Sequence, residues 1–460
     1  MSIQAIGFFT IALGLIAIFS QDRFGLAILI PFMLFGGAGA ILLSGSGTIQ
    51  PAHLLLLMIA TKKIGDAEFT VKFSGDCRFN TPGYWLILFV SYALLSAYFM
   101  PRVFAGATQI FAIGSTDYGP AILTVPLGPT GGNITQSAYI FADALCYFII
   151  LNFCRTEEKL VFVTKALCAY AVLNIIFAIL DVVTFWTGTA WTLDFIRNAA
   201  YAFHTEEASG DLKRIAGSFT ETSSFAYATV GVVGFTFRLW VGGWKPRFTG
   251  TIFIISCFLL MISTSSTAIV SIFLLLSFFY CTALWNAFAL RGKKYNVLFC
   301  IFLPLFAMSA VAAVMLVPGY QQGLYDYLDS VIISKSSSNS GLERASWNAS
   351  ALLNLVDTFG AGTGLGSVRA SSFALALLSN LGLAGALFFS LFFAAVLFRN
   401  QQFRDDNVFC ISEAAKTALI SLLIAACVSG ALVDLGLPFF VFCALGSAVV
   451  PRHEPESSLM

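Results

Sequence analysis

The sequence predicts an all-α polytopic membrane protein of 12 to 13 transmembrane helices, and its composition and hydropathy are the observations behind this prediction. Of its 460 residues, 58% are hydrophobic and only 11% are charged, and the mean hydropathy is +0.86. A soluble domain carries about 25% charged residues. The alternating pattern of outer-membrane barrel strands is absent from the sequence. We therefore expect one integral membrane domain over residues 1–460, without a soluble domain or a basic face for nucleic acid.

Apolar segments that could each cross a bilayer follow one another along the chain. A transmembrane helix needs about 20 apolar residues. The predicted spans are 6–20, 24–44, 51–61, 84–104, 137–153, 160–186, 225–241, 248–262, 268–290, 295–317, 373–398, 410–430 and 435–450. The third segment is short, so the sequence predicts twelve spans without it and thirteen with it.

Basic residues alternate between the loops and predict the side of the membrane that each loop occupies. By the positive-inside rule, loops rich in Lys and Arg lie in the cytoplasm. The predicted cytoplasmic basic residues are Arg23, Lys62, Lys63, Lys72, Arg78, Arg155, Lys159, Lys245, Arg247, Arg291, Lys293, Lys294, Arg399, Arg404 and Arg452. We expect a cytoplasmic C-terminus. The side of the N-terminus stays open, because segment 51–61 is short enough to be a half-helix.

Three predicted outer loops, 106–136, 187–224 and 319–372, are the candidate location of an active site. The cations in the last two loops are Arg197, Lys213, Arg214, Lys335, Arg344 and Arg369. Long loops tolerate such charges by chance, and the alternative is that these cations bind an anion. Loop 106–136 is rich in Gly, Pro and Thr, and it either lines a substrate groove or is an inert connection.

The segment 213–224, KRIAGSFTETSS, ends where a predicted span begins. A Thr or Ser at 222–224 can cap that span, which places Glu221 near the positive end of the helix dipole. One interpretation is a capped helix start preceded by a solvated Lys–Arg pair. The other places Lys213 and Arg214 on a phosphate and makes Glu221 a general base, because partial desolvation raises the pKa of a carboxylate toward neutrality.

The segment 343–357 has apolar residues at helical spacing and predicts an amphipathic helix on the outer surface. Arg344 opens this helix, and Trp347 would lie at the level of the lipid headgroups. Glu343, at its start, is the second candidate for a general base.

A glycine run, GAGTGLGS, follows at 360–367. It is not a P-loop, because no Gly-Lys-Ser/Thr follows, and no strand precedes it as in a dinucleotide-binding turn. Gly364 and Gly366 could still offer backbone N–H groups to an anionic oxygen. Arg369 could supply the positive charge, since its planar guanidinium binds phosphate oxygens bidentately.

Other kinds of site have little support in the sequence. Only three histidines are present, at positions 53, 204 and 453, with no pair for a metal and none beside a Ser or Cys nucleophile. We expect no cofactor and no metal. The ten cysteines lie in predicted spans or cytoplasmic loops, so no disulfide framework is expected. Asp143 and Asp181 are the more interior acidic residues, whereas an ion-coupled transporter usually has more charge at the midplane.

Several short motifs occur in a characteristic order along the chain. They are Arg214 with Gly217-x-Phe219-x-Glu221, Ser263-Thr264-Ser265-Ser266, Gly362-x-Gly364-x-Gly366-Ser367, and Asn380-Leu381-Gly382-Leu383-Ala384-Gly385. Together with the large outer loop, this order resembles the bacterial O-antigen ligase and polymerase superfamily, which includes exopolysaccharide polymerases of the Wzy type. The resemblance covers roughly residues 160–400.

The resemblance implies a GT-C-like, metal-independent glycosyltransferase in the bacterial inner (cytoplasmic) membrane. Such enzymes transfer a glycan from undecaprenyl-pyrophosphate to an acceptor at the periplasmic face. Arg214, Arg344 and Arg369 match the pyrophosphate-binding arginines of the family in kind and placement, and Glu221 is the expected base, with Glu343 as the alternative. The expected partners are the lipid-linked oligosaccharide, the bilayer and, as a candidate, a chain-length regulator.

Two departures favour a polymerase over a ligase. Ser371 and Ser372 stand where ligases of this group often have His-Asn, and Thr267 and Ala268 stand where an arginine often follows the Ser/Thr turn. A ligase that acts on a lipid or protein acceptor remains the alternative to a polymerase. A flippase for lipid-linked oligosaccharides is another, although it would place cations along an inner cavity. A structural membrane subunit would give the arginines and the glycine run no role.

Overall fold

A computed structural model describes most of the chain. The described residues are 1–43, 47–113, 115–116, 119–120, 124–200, 203–209, 212–289, 294–317, 319–334, 338–399 and 406–450. Five of the predicted loop cations, namely Arg291, Lys293, Lys335, Arg404 and Arg452, lie outside them.

Sixteen α-helices run through the described ranges. They are α1 Ala5–Phe19, α2 Asp22–Phe32, α3 Pro51–Lys63, α4 Ala67–Asp76, α5 Pro82–Val103, α6 Gly131–Phe153, α7 Glu157–Trp186, α8 Thr222–Val241, α9 Pro246–Ile262, α10 Ser266–Phe288, α11 Lys294–Leu316, α12 Tyr320–Leu328, α13 Asn339–Asp357, α14 Phe373–Leu397, α15 Asp406–Ser429 and α16 Leu437–Ser447. A 3₁₀ helix spans Ala190–Ile196, and a π-helix spans Asp329–Ile333.

Short strands form small antiparallel sheets in the connections. They are β1 Ser2–Ile3, β2 Ile41–Leu42, β3 Thr48–Ile49, β4 Gln109–Ile110, β5 Ser115–Thr116, β6 Gly119–Pro120, β7 Val125–Pro126, β8 Ala208–Ser209 and β9 Leu212–Lys213. Strands β1, β2 and β3 form one sheet in this order, and β4 pairs with β7, β5 with β6 and β8 with β9. These pairings give the predicted outer loops 106–136 and 187–224 a folded structure.

The chain is an all-α polytopic membrane protein, as the composition predicts. The structure is 74% helical. Within the described ranges, eight helices are long and apolar enough to cross a membrane, namely α5, α6, α7, α8, α10, α11, α14 and α15. Helices α1, α9 and α16 are apolar but shorter. Within the described ranges, these eight helices and the three shorter ones are fewer than the 12 to 13 predicted spans.

The predicted span 24–44 shows why the number is smaller. Only its first part is helical, as α2, and the chain then passes through Gly36 and Gly37 toward β2. A Cβ at Gly37 would lie 3.0 Å from the carbonyl oxygen of Ser218. The chain therefore turns against the segment before α8. Hydropathy alone does not show this end, because the apolar run continues through the turn.

Helix α8 lies in the interior of the helix bundle and fixes the segment that precedes it. In its most apolar stretch of 18 residues, 78% of the residues are buried. The helix packs against α15, α9 and α10. A Cβ at Gly234 of α8 would lie only 2.1 Å from the Ser421 hydroxyl oxygen of α15, so this close packing requires glycine. Phe237 stacks on Phe279 of α10 with ring centroids 4.1 Å apart. The start of α8, at Glu221 and Thr222, is positioned by this packing.

Two of the predicted outer loops pack on each other. The helix predicted over 343–357 is confirmed as α13, and the Asn354 amide on its buried face donates to the carbonyl oxygen of Gln109 at 2.7 Å. The Thr108 hydroxyl donates to the Asp357 carboxylate at 2.6 Å. Ala112 forms an isolated antiparallel bridge with Val368. Loops 106–136 and 319–372 therefore form one folded layer.

Candidate functional site

A cavity of about 830 Å³ lies among α3, α6, α8 and the loops joined to them. Its volume is within the range of about 300–1,000 Å³ that is typical of ligand sites. Its polar lining residues include Thr48, Gln50, His53, Thr135, Gln136, Tyr139, Tyr170, Thr220, Glu221, Ser223, Ser224, Tyr227, Arg369, Ser429 and Asp434. Apolar side chains line the rest, and one of them, Ile134, is 76% exposed. The cavity wall therefore reaches the outer surface of the helix bundle.

Glu221 lies in the cavity wall at the first turn of α8. It occupies the N-cap position itself, one residue before the Thr and Ser residues expected there, with extended backbone angles of φ −155° and ψ 163°. The Ser223 hydroxyl donates a hydrogen bond to its Oε1. Its backbone also bridges to His204 of loop 187–224. Glu221 is thus held at the positive end of a buried helix, where a carboxylate is stabilised.

Arg369 lies in the same cavity wall and comes from loop 319–372. Its Cζ lies 5.1 Å from the ring centroid of Trp347, in a cation–π contact, and its backbone N–H donates to the carbonyl oxygen of Phe111. Within the described ranges, Arg369 belongs to none of the ion pairs. Of the described lining residues, Arg369 alone is a Lys or Arg. Its charge is therefore the principal attraction for an anion in this cavity.

The glycine run has a packing role, which differs from the anion cradle expected from the sequence. The backbone N–H of Gly364 donates to the carbonyl oxygen of Asn380, and a Cβ at Gly364 would lie 2.6 Å from Pro101. A Cβ at Gly366 would lie 2.2 Å from the carbonyl oxygen of Gly132. The run is pressed between α5, α6 and a break in α14 at Gly382, where φ is 63°. The Gly364 N–H is therefore bound to a backbone acceptor, and the run leads from α13 to Arg369.

Lys213 also has a structural role, which corrects its assignment to an anion site. Its ammonium lies 3.6 Å from the carboxylate of Asp181 and donates to the carbonyl oxygens of Thr205 and Arg214. The side chain is only 2% exposed. Burial lowers the pKa of Lys213, an effect that the neighbouring Asp181 carboxylate partly offsets. Lys213 is bound within its own loop and does not line the cavity.

Asp181 of α7 contacts several residues of loop 187–224. Its Oδ1 lies 2.6 Å from the guanidinium of Arg197, and its Oδ2 accepts the backbone N–H groups of Ala216 and Gly217. Asp181 is 1% exposed. Because two cations and two N–H groups meet this carboxylate, Asp181 and Arg197 anchor loop 187–224 on α7.

The remaining predicted site residues lie outside the cavity wall. Arg214 pairs with the Glu207 carboxylate of the same loop. Arg344 is half-buried and Glu343 is exposed, both on α13. None of the three contributes to the described lining of the cavity. The structure therefore places Glu221 and Arg369 in the lining of one cavity, whereas Arg214, Arg344 and Glu343 are not among its described lining residues.

The sequence analysis missed one cluster of polar residues in the cavity. His53 of α3 and Asp434, from the connection between α15 and α16, both line it. The carboxyl group of Asp434 interacts electrostatically with His53 and with Asp143 of α6. Asp143 is fully buried, and neither of its carboxyl oxygens has a hydrogen-bond partner in the described structure. Ionisable residues in apolar helices are a functional signal, but their convergence is visible only in the fold.

Comparisons with known proteins add no family. No family model matches the chain, and neither a search of the curated proteins nor a search of the solved structures found a match. The class of protein therefore rests on the fold and the cavity: this is a multi-pass helical membrane protein with a charged cavity among its helices.

Proposed function

We propose that this protein is a polysaccharide polymerase of the bacterial cytoplasmic membrane. It transfers a growing glycan from undecaprenyl-pyrophosphate to a lipid-linked repeat unit at the periplasmic face. In this proposal, the architecture is GT-C-like, the C-terminus is cytoplasmic, and loops 106–136, 187–224 and 319–372 are periplasmic. The activity needs neither a metal nor another cofactor.

The observation that carries the proposal is that Glu221 and Arg369 line one cavity. The sequence nominates them from two separate loops, one as a base and the other as a phosphate ligand. Transfer from a lipid pyrophosphate needs both groups, because the acceptor hydroxyl loses a proton and the leaving group carries negative charge. A shared cavity is the geometry that such a reaction requires.

The chemistry of each residue follows from its position. The acceptor oxygen attacks the anomeric carbon of the donor glycan while its proton passes to the Glu221 carboxylate. The bond between that carbon and the pyrophosphate oxygen breaks, and the pyrophosphate leaves with the bonding electron pair. Arg369 stabilises the charge on the leaving group, since a guanidinium stays ionised and binds phosphate oxygens in a planar fork.

The lining of the cavity fits an amphiphilic substrate. Polar side chains surround Glu221 and Arg369, whereas Met33, Leu43 and Ile134 contribute apolar surface. A lipid-linked glycan presents the same two kinds of surface, a polar glycan pyrophosphate and a hydrocarbon chain. Apolar walls take up hydrocarbon, and polar groups fix the orientation of the head.

The arrangement of α3 supports the proposed orientation. Lys62 and Lys63 stand at its C-terminal end, where the positive-inside rule predicts the cytoplasm. His53, in the cavity wall, precedes Lys62 by nine residues, which corresponds to about 14 Å along a helix. The cavity therefore lies at the end of α3 opposite these lysines, which supports an opening on the periplasmic side.

The test is glycan analysis of a deletion strain complemented with single variants, separating the lipid carriers from the surface polymer. We expect Glu221→Gln and Arg369→Gln each to slow polymerisation by about 10²–10³-fold, so that single repeat units accumulate on the carrier. Glu206→Gln, in the same loop as Glu221, and Arg102→Gln, an exposed arginine over Tyr98, are the matched controls. Full-length polymer from correctly inserted Glu221→Gln and Arg369→Gln proteins would exclude this assignment.

A flippase is the second candidate function, and the buried Asp143, which interacts electrostatically with Asp434, favours it. Ionisable groups inside a helical bundle often mark ion or proton pathways. The same glycan analysis separates the two functions. Repeat units trapped at the cytoplasmic face of the deletion strain indicate a flippase, whereas long chains that remain on the carrier indicate a ligase.

A further inference from the structure

His53, Tyr139 and Asp434 line the same cavity as Arg369, and they form its His53–Asp434 side. Both ring nitrogens of His53 are buried, and neither has a hydrogen-bond partner in the described structure. The His53 ring lies 4.9 Å from that of Tyr139, centroid to centroid. Asp434 is half-buried, and its Oδ1 accepts the backbone N–H of Gly436 at 2.6 Å. Two hydrogen-bonding side chains and an aromatic ring thus meet at one place.

Hydrocarbon is a poor occupant of this place. A buried imidazole without a hydrogen-bond partner is unfavourable, and an apolar ligand would leave it so. Because no hydrogen bond fixes the His53 ring, it can turn either nitrogen toward a ligand in the cavity. The occupant that His53 favours therefore carries hydrogen-bonding groups.

An anion is also a poor occupant. The carboxyl group of Asp434 lines the cavity here, and an anion beside it would meet like charge in a medium of low polarity. Arg369 is the described cation of the cavity lining. The pyrophosphate therefore favours Arg369, and the Asp434 carboxylate favours an uncharged or cationic group.

We propose that Asp434 and His53, with the ring of Tyr139, form a subsite for an uncharged or amino sugar of the lipid-linked repeat unit. This inference rests on the proposed function and names the part of the substrate that these residues hold. A sugar ring offers hydroxyl groups that donate to the Asp434 carboxylate and exchange hydrogen bonds with His53. Its C–H face packs against the aromatic ring. A uronic acid is disfavoured at this position by the Asp434 carboxylate.

The first part of the test measures steady-state kinetics with lipid-linked repeat units extracted from the deletion strain. For Asp434→Asn and His53→Phe we expect the KM for the repeat unit to rise about tenfold, while kcat changes less than about twofold. Asn at 434 retains the oxygen that accepts the Gly436 N–H, and Phe at 53 retains a ring beside Tyr139. Thr61→Ala, exposed on the same helix, is the matched control.

The second part measures binding without turnover, by saturation-transfer NMR on the detergent-solubilised full-length protein. The probe is the oligosaccharide repeat unit released from its carrier by mild acid. We expect saturation of the protons of an uncharged or amino sugar with the unsubstituted protein, and its loss with Asp434→Asn. If His53→Phe does not fold, His53→Gln replaces it, and a normal KM then counts against a role for the imidazole itself.

The outcomes separate this inference from the proposed function. If Glu221→Gln abolishes polymer while Asp434→Asn and His53→Phe keep an unchanged KM and unchanged saturation transfer, the subsite is excluded and the polymerase stands. A fall in kcat alone would also overturn the subsite, because it would place Asp434 in the chemical step. If the deletion strain accumulates no carrier-linked repeat units at the periplasmic face, the proposed function itself fails.

Discussion

The guanidinium of Arg369 rests over the indole ring of Trp347, with its Cζ 5.1 Å from the ring centroid. Trp347 belongs to α13, and the glycine run separates it in sequence from Arg369. The two residues meet because this run folds back against α5, α6 and α14. The cation that the proposed reaction needs is thus held by an aromatic surface and leaves its N–H donors to the substrate.

Replacing Trp347 should weaken the action of Arg369 without removing it. A cation–π contact at an exposed site contributes about 0.5–1 kcal/mol, so we expect Trp347→Leu to reduce kcat/KM for the lipid-linked donor about two- to fivefold. Trp347→Phe should retain most of the activity. Polymerisation rates in membranes from the complemented deletion strain provide the measurement. Equal loss with Leu and Phe would show that the aromatic face has no role.

Replacing Gly364 should disturb the fold before it disturbs any ligand contact. Gly364 has φ 97°, and an added Cβ would meet Pro101 and the carbonyl oxygen of Ser96 at 2.6 and 2.7 Å. Gly364→Ala should therefore lower the amount of folded protein that is recovered in detergent. Gly128→Ala, where a Cβ meets nothing within 4 Å, is the control. A stable, well-folded Gly364→Ala protein that lacks activity would instead support a role of Gly364 in the binding of an anion.

Removing the Asp181 carboxylate should strongly destabilise loop 187–224. Breaking a buried ion pair costs about 3–5 kcal/mol, because it leaves the partner charge uncompensated. Asp181→Ala leaves the buried cations of Arg197 and Lys213 without a carboxylate partner, so we expect a large fall in Tm. The Tm is measured by intrinsic fluorescence of the protein in detergent. Asp194→Ala, an exposed aspartate nearby, should leave Tm unchanged. A Tm for Asp181→Ala equal to that of the control would contradict this account.

Acid should weaken the contact between α2 and α3. Burial tends to raise the pKa of Asp22, but Lys63 and Lys62 outweigh it and leave the pKa below its usual value of 3.8. A carboxyl group with a lowered pKa in the folded state contributes stability that is present above its unfolded pKa and is lost as the pH falls through the folded value. The Tm difference between the unsubstituted protein and Asp22→Asn should therefore shrink between pH 6 and pH 3. A difference independent of pH would show that the ion pairs of Asp22 contribute nothing.

The sequence by itself determined the class of the protein and one helix, and it nominated two residues that the structure places in the lining of one cavity. High hydropathy and few charges imply a multi-pass membrane protein, whatever the exact ends of the helices. Long apolar segments are stable in the hydrocarbon core of a bilayer, where helices satisfy their own backbone hydrogen bonds. The helical spacing of 343–357 predicted α13 correctly, since its periodicity is local. Glu221 and Arg369 could be nominated because each is a charged residue in a segment with a local signature, a helix start and a glycine run.

Only the tertiary structure decided which charges are free and which are bound. Lys213 and Arg369 are both cations of predicted outer loops in the sequence. In the structure, Lys213 forms an ion pair with Asp181 of the preceding helix α7. The glycine run 360–367 is compatible with an anion-binding loop in the sequence. The structure shows that Pro101, Gly132 and Asn380 pack against it. His53 and Asp434 lie at opposite ends of the chain and meet only in the cavity. Each of these contacts joins residues distant in sequence, and local patterns carry no information about them.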